Sequence, residues 1–199
     1  MEFKDKVIKE IERDVIKKYL IILLGLLNNE PISGKTRLMK ELFFISKNIP
    51  LLEEETEFEK DNYGPNSDNI SISLEDLEVL GLIVNPNNNY QLTKIGKEIF
   101  HLVIPTITNE ELKIIENMKD LFYNLTNDEV LGLVYSTYPE MTEVSLVKER
   151  INQKKIDIAI SLLKKGKVSM SKASEISGLT FSSFYKILKE KGVKVEIEI

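Results

Sequence analysis

Residues 166–192, GKVSMSKASEISGLTFSSFYKILKEKG, constrain this chain more than any other stretch. The glycine at 178 stands between two helix-forming runs, and its freedom at positive φ suits a sharp turn between two short helices. Ser169 predicts an N-cap for a helix over residues 170–177, its hydroxyl accepting from amides of the first turn. Thr180 predicts the same for a helix over residues 181–191, in which Phe181, Phe184, Ile187 and Leu188 recur at helical spacing and face inward. Ser182, Ser183, Lys186 and Lys189 are left outside, and Ala173 and Ser174 are small where crossing helices must approach closely. Together these features predict a helix-turn-helix, the pattern of a DNA-reading helix pair. A three-helix bundle used only for packing shows the same pattern.

Charge is distributed to suit the first reading. Residues 1–151 carry 17 Lys and Arg against 27 Asp and Glu, whereas residues 152–199 carry 10 Lys against 5 acids, so the net charge of −5 hides a basic tail on an acidic body. Attraction to phosphate needs such a local excess of cations, although lysines also serve as plain solvated surface. The polar, basic residues 152–155 therefore mark a domain boundary. Residues 1–151 form an α-rich body, and residues 152–199 a tail domain opened by a helix with Ile156, Ala159, Ile160 and Leu163. At its end Val193, Val195, Ile197 and Ile199 alternate with charged residues and predict a β-strand. So small a domain offers that strand no partner, so it pairs with a second copy or with another protein's edge.

Other classes are excluded by what is missing. The chain has no cysteine and one histidine, His101. Thiolate sites, disulfides and histidine clusters fall away with them, and no nucleophile, base and orienting group can be assembled, so no enzyme, metal or cofactor is expected. The longest apolar run, residues 19–27, is broken by Gly25 and too short for a bilayer, and the charged N-terminus is unlike a signal peptide. A cytoplasmic location without membrane contact follows as the expectation. Heavy use of Lys, Ile, Asn and Glu points to an AT-rich microbial source.

In the body, Phe3, Val7, Ile11 and Val15 are spaced by four and begin a helical region over residues 1–28, whose first half reads as an arm packed on its own domain or on a second copy. A helix over residues 35–47 follows the turn at Pro31, Ser33 and Gly34. The string SGKT is not a phosphate loop, because Asn29 stands where glycine is required and a Leu-rich helix where a strand is required. Residues 51–61 predict a short edge strand, with Thr56 and Phe58 alternating with charge. Ser67 or Asp68 caps a helix to about Leu80 with Ile70, Leu74, Leu77 and Leu80 inside; strands over 82–84 and 90–92 flank the turn NPNNN; Thr93 caps a helix over 94–103. Helices over 109–124 and 127–138 and a short one with Thr142, Val144 and Leu146 complete the body. The predicted class is mainly α with a small β-hairpin, a winged-helix body plus a C-terminal helix-turn-helix domain. The body's would-be reading helix exposes Asp68, Glu75, Asp76 and Glu78 and has no Lys or Arg, which predicts a protein-interaction module and not a second DNA reader.

Two resemblances rest on these residues. The tail, through GKVSMSKASEISGLTFSSFYKILKEKGV, resembles small archaeal and bacterial helix-turn-helix proteins proposed as antitoxins. The body, through ISGKTRLMKELFFI, NYGPNSDNI, LEVLGLI with YQLTKIG, and VYSTYPEMTEVS, is similar to Panacea, or SocA-like, antitoxin-associated winged-helix domains. They imply a transcription regulator or antitoxin-like protein with a toxin-like protein partner. The expected mechanism has a homodimer placing two tails in successive major grooves of duplex DNA, with Ser182, Ser183, Tyr185 and Lys186 near base edges, Lys167, Lys172 and Lys189 at phosphates, and Thr180 also among the DNA-binding residues. The alternative is an interaction module that binds no DNA.

Overall fold

The structure, a computed structural model, describes residues 2–193, and side chains from Lys6 onward. It is mainly helical with a small antiparallel sheet, and the chain falls into two compact units, residues 1–59 with 65–123, and 60–64 with 124 onward.

The first unit opens with α1 (Glu2–Arg13) and α2 (Val15–Asn29), separated at Asp14, whose carboxylate accepts from the Lys17 amide at 2.9 Å. Val7 and Ile11 of α1 are buried, and the helix packs on its own unit, against α2 and on α6 (Lys94–Val103). The first helix is thus no free arm. α2 is the core helix, with residues 19–24 all buried. It ends in an unusual way: Leu27, Asn28 and Asn29 are left-handed, and the carbonyls of Leu23, Leu24 and Leu26 accept from the ammonium of Lys119 at 2.8, 3.2 and 2.8 Å. A cation thereby sits where a helix C-terminus concentrates negative potential. It is supplied by α7 (Asn109–Phe122).

β1 (Ile32–Ser33) leads into α3 (Lys35–Ser46) and α4 (Pro50–Thr56). The edge strand expected over 51–61 is mostly this helix: Pro50 opens it and Leu52 and Thr56, four apart, are its buried face, leaving only β2 (Glu59–Asp61) extended. β3 (Gly64–Asn66) precedes α5 (Asp68–Val79), whose cap is Ser67, its hydroxyl accepting from the Ile70 amide at 3.2 Å. Ile70, Leu74 and Leu77 are buried; Leu80 is only half-buried. The expected hairpin forms from β4 (Ile83–Val84) and β5 (Asn89–Leu92), and β1 adds a third strand in the order β1–β5–β4, with Ile32 opposite Tyr90 and Ile83 opposite Leu92. Thr93 caps α6 as its sequence requires, accepting from the Gly96 amide at 3.0 Å and donating to the Gly81 carbonyl at 2.7 Å. Gly96 lies so close to the Leu82 carbonyl that any side chain would collide with it. α7 starts in a capping box between Thr108 and Glu111, and Glu111 also accepts from the buried Tyr19 hydroxyl at 2.6 Å.

Charges lie inside this unit as well. Lys17 is held by Glu10 at 2.8 Å, Asp76 at 3.0 Å and Asp14 at 3.5 Å. Glu41 of α3 is 3% exposed with Oε2 unbonded, and burial pushes its pKa up to about 8 against the pull of Lys119 and Arg37. Burial also lowers Lys119 to about 8, opposed by Glu41 and Glu30.

The second unit is built on α8 (Asn127–Thr137), α9 (Lys148–Lys164), α10 (Met170–Ser177) and α11 (Phe181–Glu190). α8 begins in a capping box between Thr126 and Glu129. Glu129, buried, also accepts from Ser161 at 2.6 Å and Lys165 at 2.7 Å, tying α8 to α9 and its C-terminal end. At the other side Asp128 pairs with Arg150 and, at 2.8 Å, with Lys154. Gly132 lets the helices close: a Cβ there would stand 2.6 Å from Ile158 Cγ2. Residues 60–64 belong here because the Asn62 carbonyl accepts from Ser145 Oγ and from the Leu146 amide, both at 3.0 Å.

α9 runs without a break through Asn152 and packs on both α8 and α10, and the two compact units divide at 123/124. One expectation changes. The short helix around Thr142, Val144 and Leu146 is a 3-10 turn, Pro139–Thr142, followed by exposed Val144 and Leu146. The strand expected at the C-terminal end lies, from Lys194 on, outside the described residues.

Candidate nucleic-acid interface

α9, α10 and α11 form the candidate site. Ser169 caps α10, accepting from the Lys172 amide at 3.2 Å. Gly178 ends it at φ +71°, with its amide on the Glu175 carbonyl at 3.0 Å and the Leu179 amide on Ser174 at 3.3 Å. These bonds occupy carbonyls that a helix end leaves open. Ser174 Oγ then donates to the Leu179 carbonyl at 2.9 Å, and the Leu179 amide donates to Ser177 Oγ at 3.2 Å, so three buried or half-buried residues fix the turn through their polar atoms. Thr180 starts α11, accepting from the Ser183 amide at 3.3 Å. Only Leu179 and Thr180 separate the turn glycine from α11.

Packing sets which face is shown. Ala173 and Ile176 of α10 and Phe184 and Leu188 of α11 are buried, while Ile187 is half-buried. Phe181, expected inside, is 44% exposed, because the first turn of α11 lies beyond the buried face that Phe184 and Leu188 define. In α9 the buried positions are Ile151, Ile158, Ala159, Ile160 and Leu162, with Ile156 and Leu163 half-buried.

The eight candidate contact residues occupy different settings. Ser182, Ser183, Lys186 and Lys189 are exposed on α11, and positions 182, 186 and 189 form one stripe. Tyr185 is half-buried with the Lys189 ammonium 4.7 Å from its ring centroid. Thr180 is committed to its cap, and its hydroxyl also donates to Ser183 Oγ at 2.9 Å. Lys172 pairs with Glu175 at 2.7 Å and Lys186 with Glu190 at 4.0 Å. Lys167 is half-buried between α9 and α10. The structure thus brings Ser182, Lys186 and Lys189 together and sets Lys167 and Lys172 apart from that stripe on the chain before the turn. One cation lies outside the candidate set: Lys155, among the boundary residues 152–155, places its ammonium against Gly178. No signal in the sequence marks it, since its neighbours 152–154 are equally polar. Among the described residues no group of three His, Asp or Glu is placed to hold a metal ion, and no helix is long and apolar enough to cross a membrane.

A model of an uncharacterised protein family, UPF0175, matches residues 137–199, less than half of the chain. The match spans α9 to α11. No curated protein and no solved structure matches the chain.

Proposed function

We propose that this chain is a DNA-binding transcriptional regulator or antitoxin-like protein, cytoplasmic and without catalysis of its own, acting as a homodimer. In this reading α10 and α11 are a helix-turn-helix. The observation that carries it is the α11 stripe: Ser182, Lys186 and Lys189 are exposed on a helix held rigidly by Phe184, Leu188 and the bonded turn at Gly178. Hydroxyl and ammonium groups on a fixed helix face are what base edges and phosphates require. The family match covers this same segment, the one whose sequence resembles antitoxin-like proteins.

The first unit is read as a winged helix. Its support is the order α2, β1, α3, α5, β4, β5, with sheet order β1–β5–β4 and α4 inserted. Its reading helix α5 shows Asp68, Glu75, Asp76 and Glu78 to solvent, so that face repels phosphate and serves a protein partner, toxin-like in the antitoxin case.

Binding to duplex DNA is measured by fluorescence anisotropy across a salt series. With Lys167, Lys172 and Lys189 on phosphates in each of two copies, the slope of log K against log salt is about −5, and affinity falls roughly 10³-fold between 50 and 200 mM salt. Lys186→Glu abolishes retention at low salt. Unchanged binding by that variant rejects the face. The second reading, an interaction module without DNA, is favoured by one observation: Glu175 and Glu190 already pair with two of the candidate lysines. Absence of binding at low salt decides for it.

A further inference from the structure

A groove of about 770 Å³ in the first unit runs between α1 and the α4–α5 side. The α1 side contributes the cations Lys6, Lys9 and Arg13 together with Glu10 and Asp14, whose carboxylates are paired with Lys17; the facing wall contributes Glu55 of α4 with Asn69 and Ile72 of α5, and no cation. Asn69 fixes the acidic wall, its amide donating to the Glu55 carbonyl at 3.0 Å and to Glu57 Oε2 at 3.3 Å. Lys9, Arg13, Glu55 and the neighbouring Glu75 make no ion pair among the described residues, although opposite charges line the same groove. Along α5 the acids alternate with apolar surface: Ile72 is 58% exposed and Val79 88%, at the two ends of a stripe through Glu75. So much exposed aliphatic surface on one helix face marks a contact region.

We infer that this groove is the interface with a second copy of the chain, the cationic α1 wall of each copy seated on the acidic, apolar α5 wall of the other. Charge decides among occupants. A basic peptide meets like charge at Lys9 and Arg13, and an acidic one at Glu55 and Glu75. A two-fold axis satisfies both walls twice and covers Ile72 and Val79, because an isologous contact uses the same surface on both partners. The interface deepens the two-copy reading above, and it is tested on the protein without DNA, so its failure and the failure of DNA binding show separately.

The full chain is examined by sedimentation velocity at low and high salt. Wild type sediments as a dimer whose dissociation constant rises with salt, and Ile72→Asp weakens it at least about tenfold, since an unpaired buried carboxylate costs more than the 1.4 kcal/mol of one decade. Lys9→Glu/Arg13→Glu and Glu55→Arg/Glu75→Arg are each monomeric with wild-type circular dichroism. Mixed one to one, these two variants form a heterodimer, because at one contact a reversed wall then faces a reversed wall and at the other an intact wall faces an intact one, so opposite charges meet at both. A wild-type monomer at the highest soluble concentration overturns the inference and assigns the groove to a different protein. It is equally overturned if the variants remain dimeric, or if their mixture stays monomeric.

Discussion

Glu41 offers the sharpest check on the interior. Its carboxyl has an ordinary pKa of 4.5 and is pushed to about 8 in the fold, mainly by complete burial. Between those values the native protein holds a proton that the unfolded chain releases, so stability falls as pH rises through this window. Each unit of pKa shift is worth about 1.4 kcal/mol, so by pH 7 the proton retained at Glu41 costs about 3 kcal/mol. Glu41→Gln cannot titrate. The stability difference, variant minus wild type, therefore climbs about 1.4 kcal/mol per pH unit from near pH 5 to near pH 7.5, or about 3 kcal/mol between pH 5 and 7. An unsatisfied amide in the variant shifts that curve down by about 1–3 kcal/mol without altering its slope. Urea unfolding followed by far-ultraviolet circular dichroism at pH 5, 6 and 7 measures it. A flat difference would refute the reasoning, since it means that Lys119 and Arg37 keep the carboxylate ionised in the fold.

Two further outcomes concern the second unit. Burial alone would raise the Glu129 pKa, but Lys165, Ser161 and the Thr126 amide overcome it and hold the group below the usual carboxylate range. Its stabilisation is therefore complete at neutral pH and lost as pH falls through the lowered value. Glu129→Ala costs about 2–4 kcal/mol in urea unfolding at pH 7, and less at pH 3. Gly132→Ala drives a methyl group into Ile158 and costs about 1–3 kcal/mol, read as a lower midpoint of thermal unfolding; an unchanged midpoint would show that α8 and α9 are not closely packed there.

The local signals along the chain were legible where side-chain chemistry acts on its own backbone. Ser67, Thr93, Ser169 and Thr180 each cap the helix that their position predicts, and Gly178 makes the turn. Misreadings arose where a short segment fits two periods. Residues 51–61 alternate with charge, yet Leu52 and Thr56 also stand four apart, and packing chose the helix. Residues 142–146 alternate apolar and polar residues, yet Val144 and Leu146 are exposed. Phe181 looked like core because an aromatic at helical spacing usually is, but the first turn of α11 projects past its support. Glu41 and Lys119 were invisible, because nothing in a charged residue's neighbours in sequence shows that two distant helices will enclose it. The stripe Ser182, Lys186 and Lys189 was readable from helical spacing, whereas Lys155 reaches Gly178 only through the packing of α9 on α10.

The clasp of Glu129 on Ser161 and Lys165, with Gly132 against Ile158, has a meaning for how such a tail can travel between genes. The matched family segment begins at Thr137, the last residue of α8, so nearly all of the helix on which α9 rests lies outside it. A recombination that moved only that segment to another body would carry Ser161 and Lys165 without their acid and Ile158 without its glycine. The receiving chain must already offer a helix with a buried carboxylate and a gap of one methyl group at matching places. The piece of this chain that keeps its own packing partners is therefore longer than the family pattern: it reaches back at least to Thr126 and takes in residues 60–64 as well.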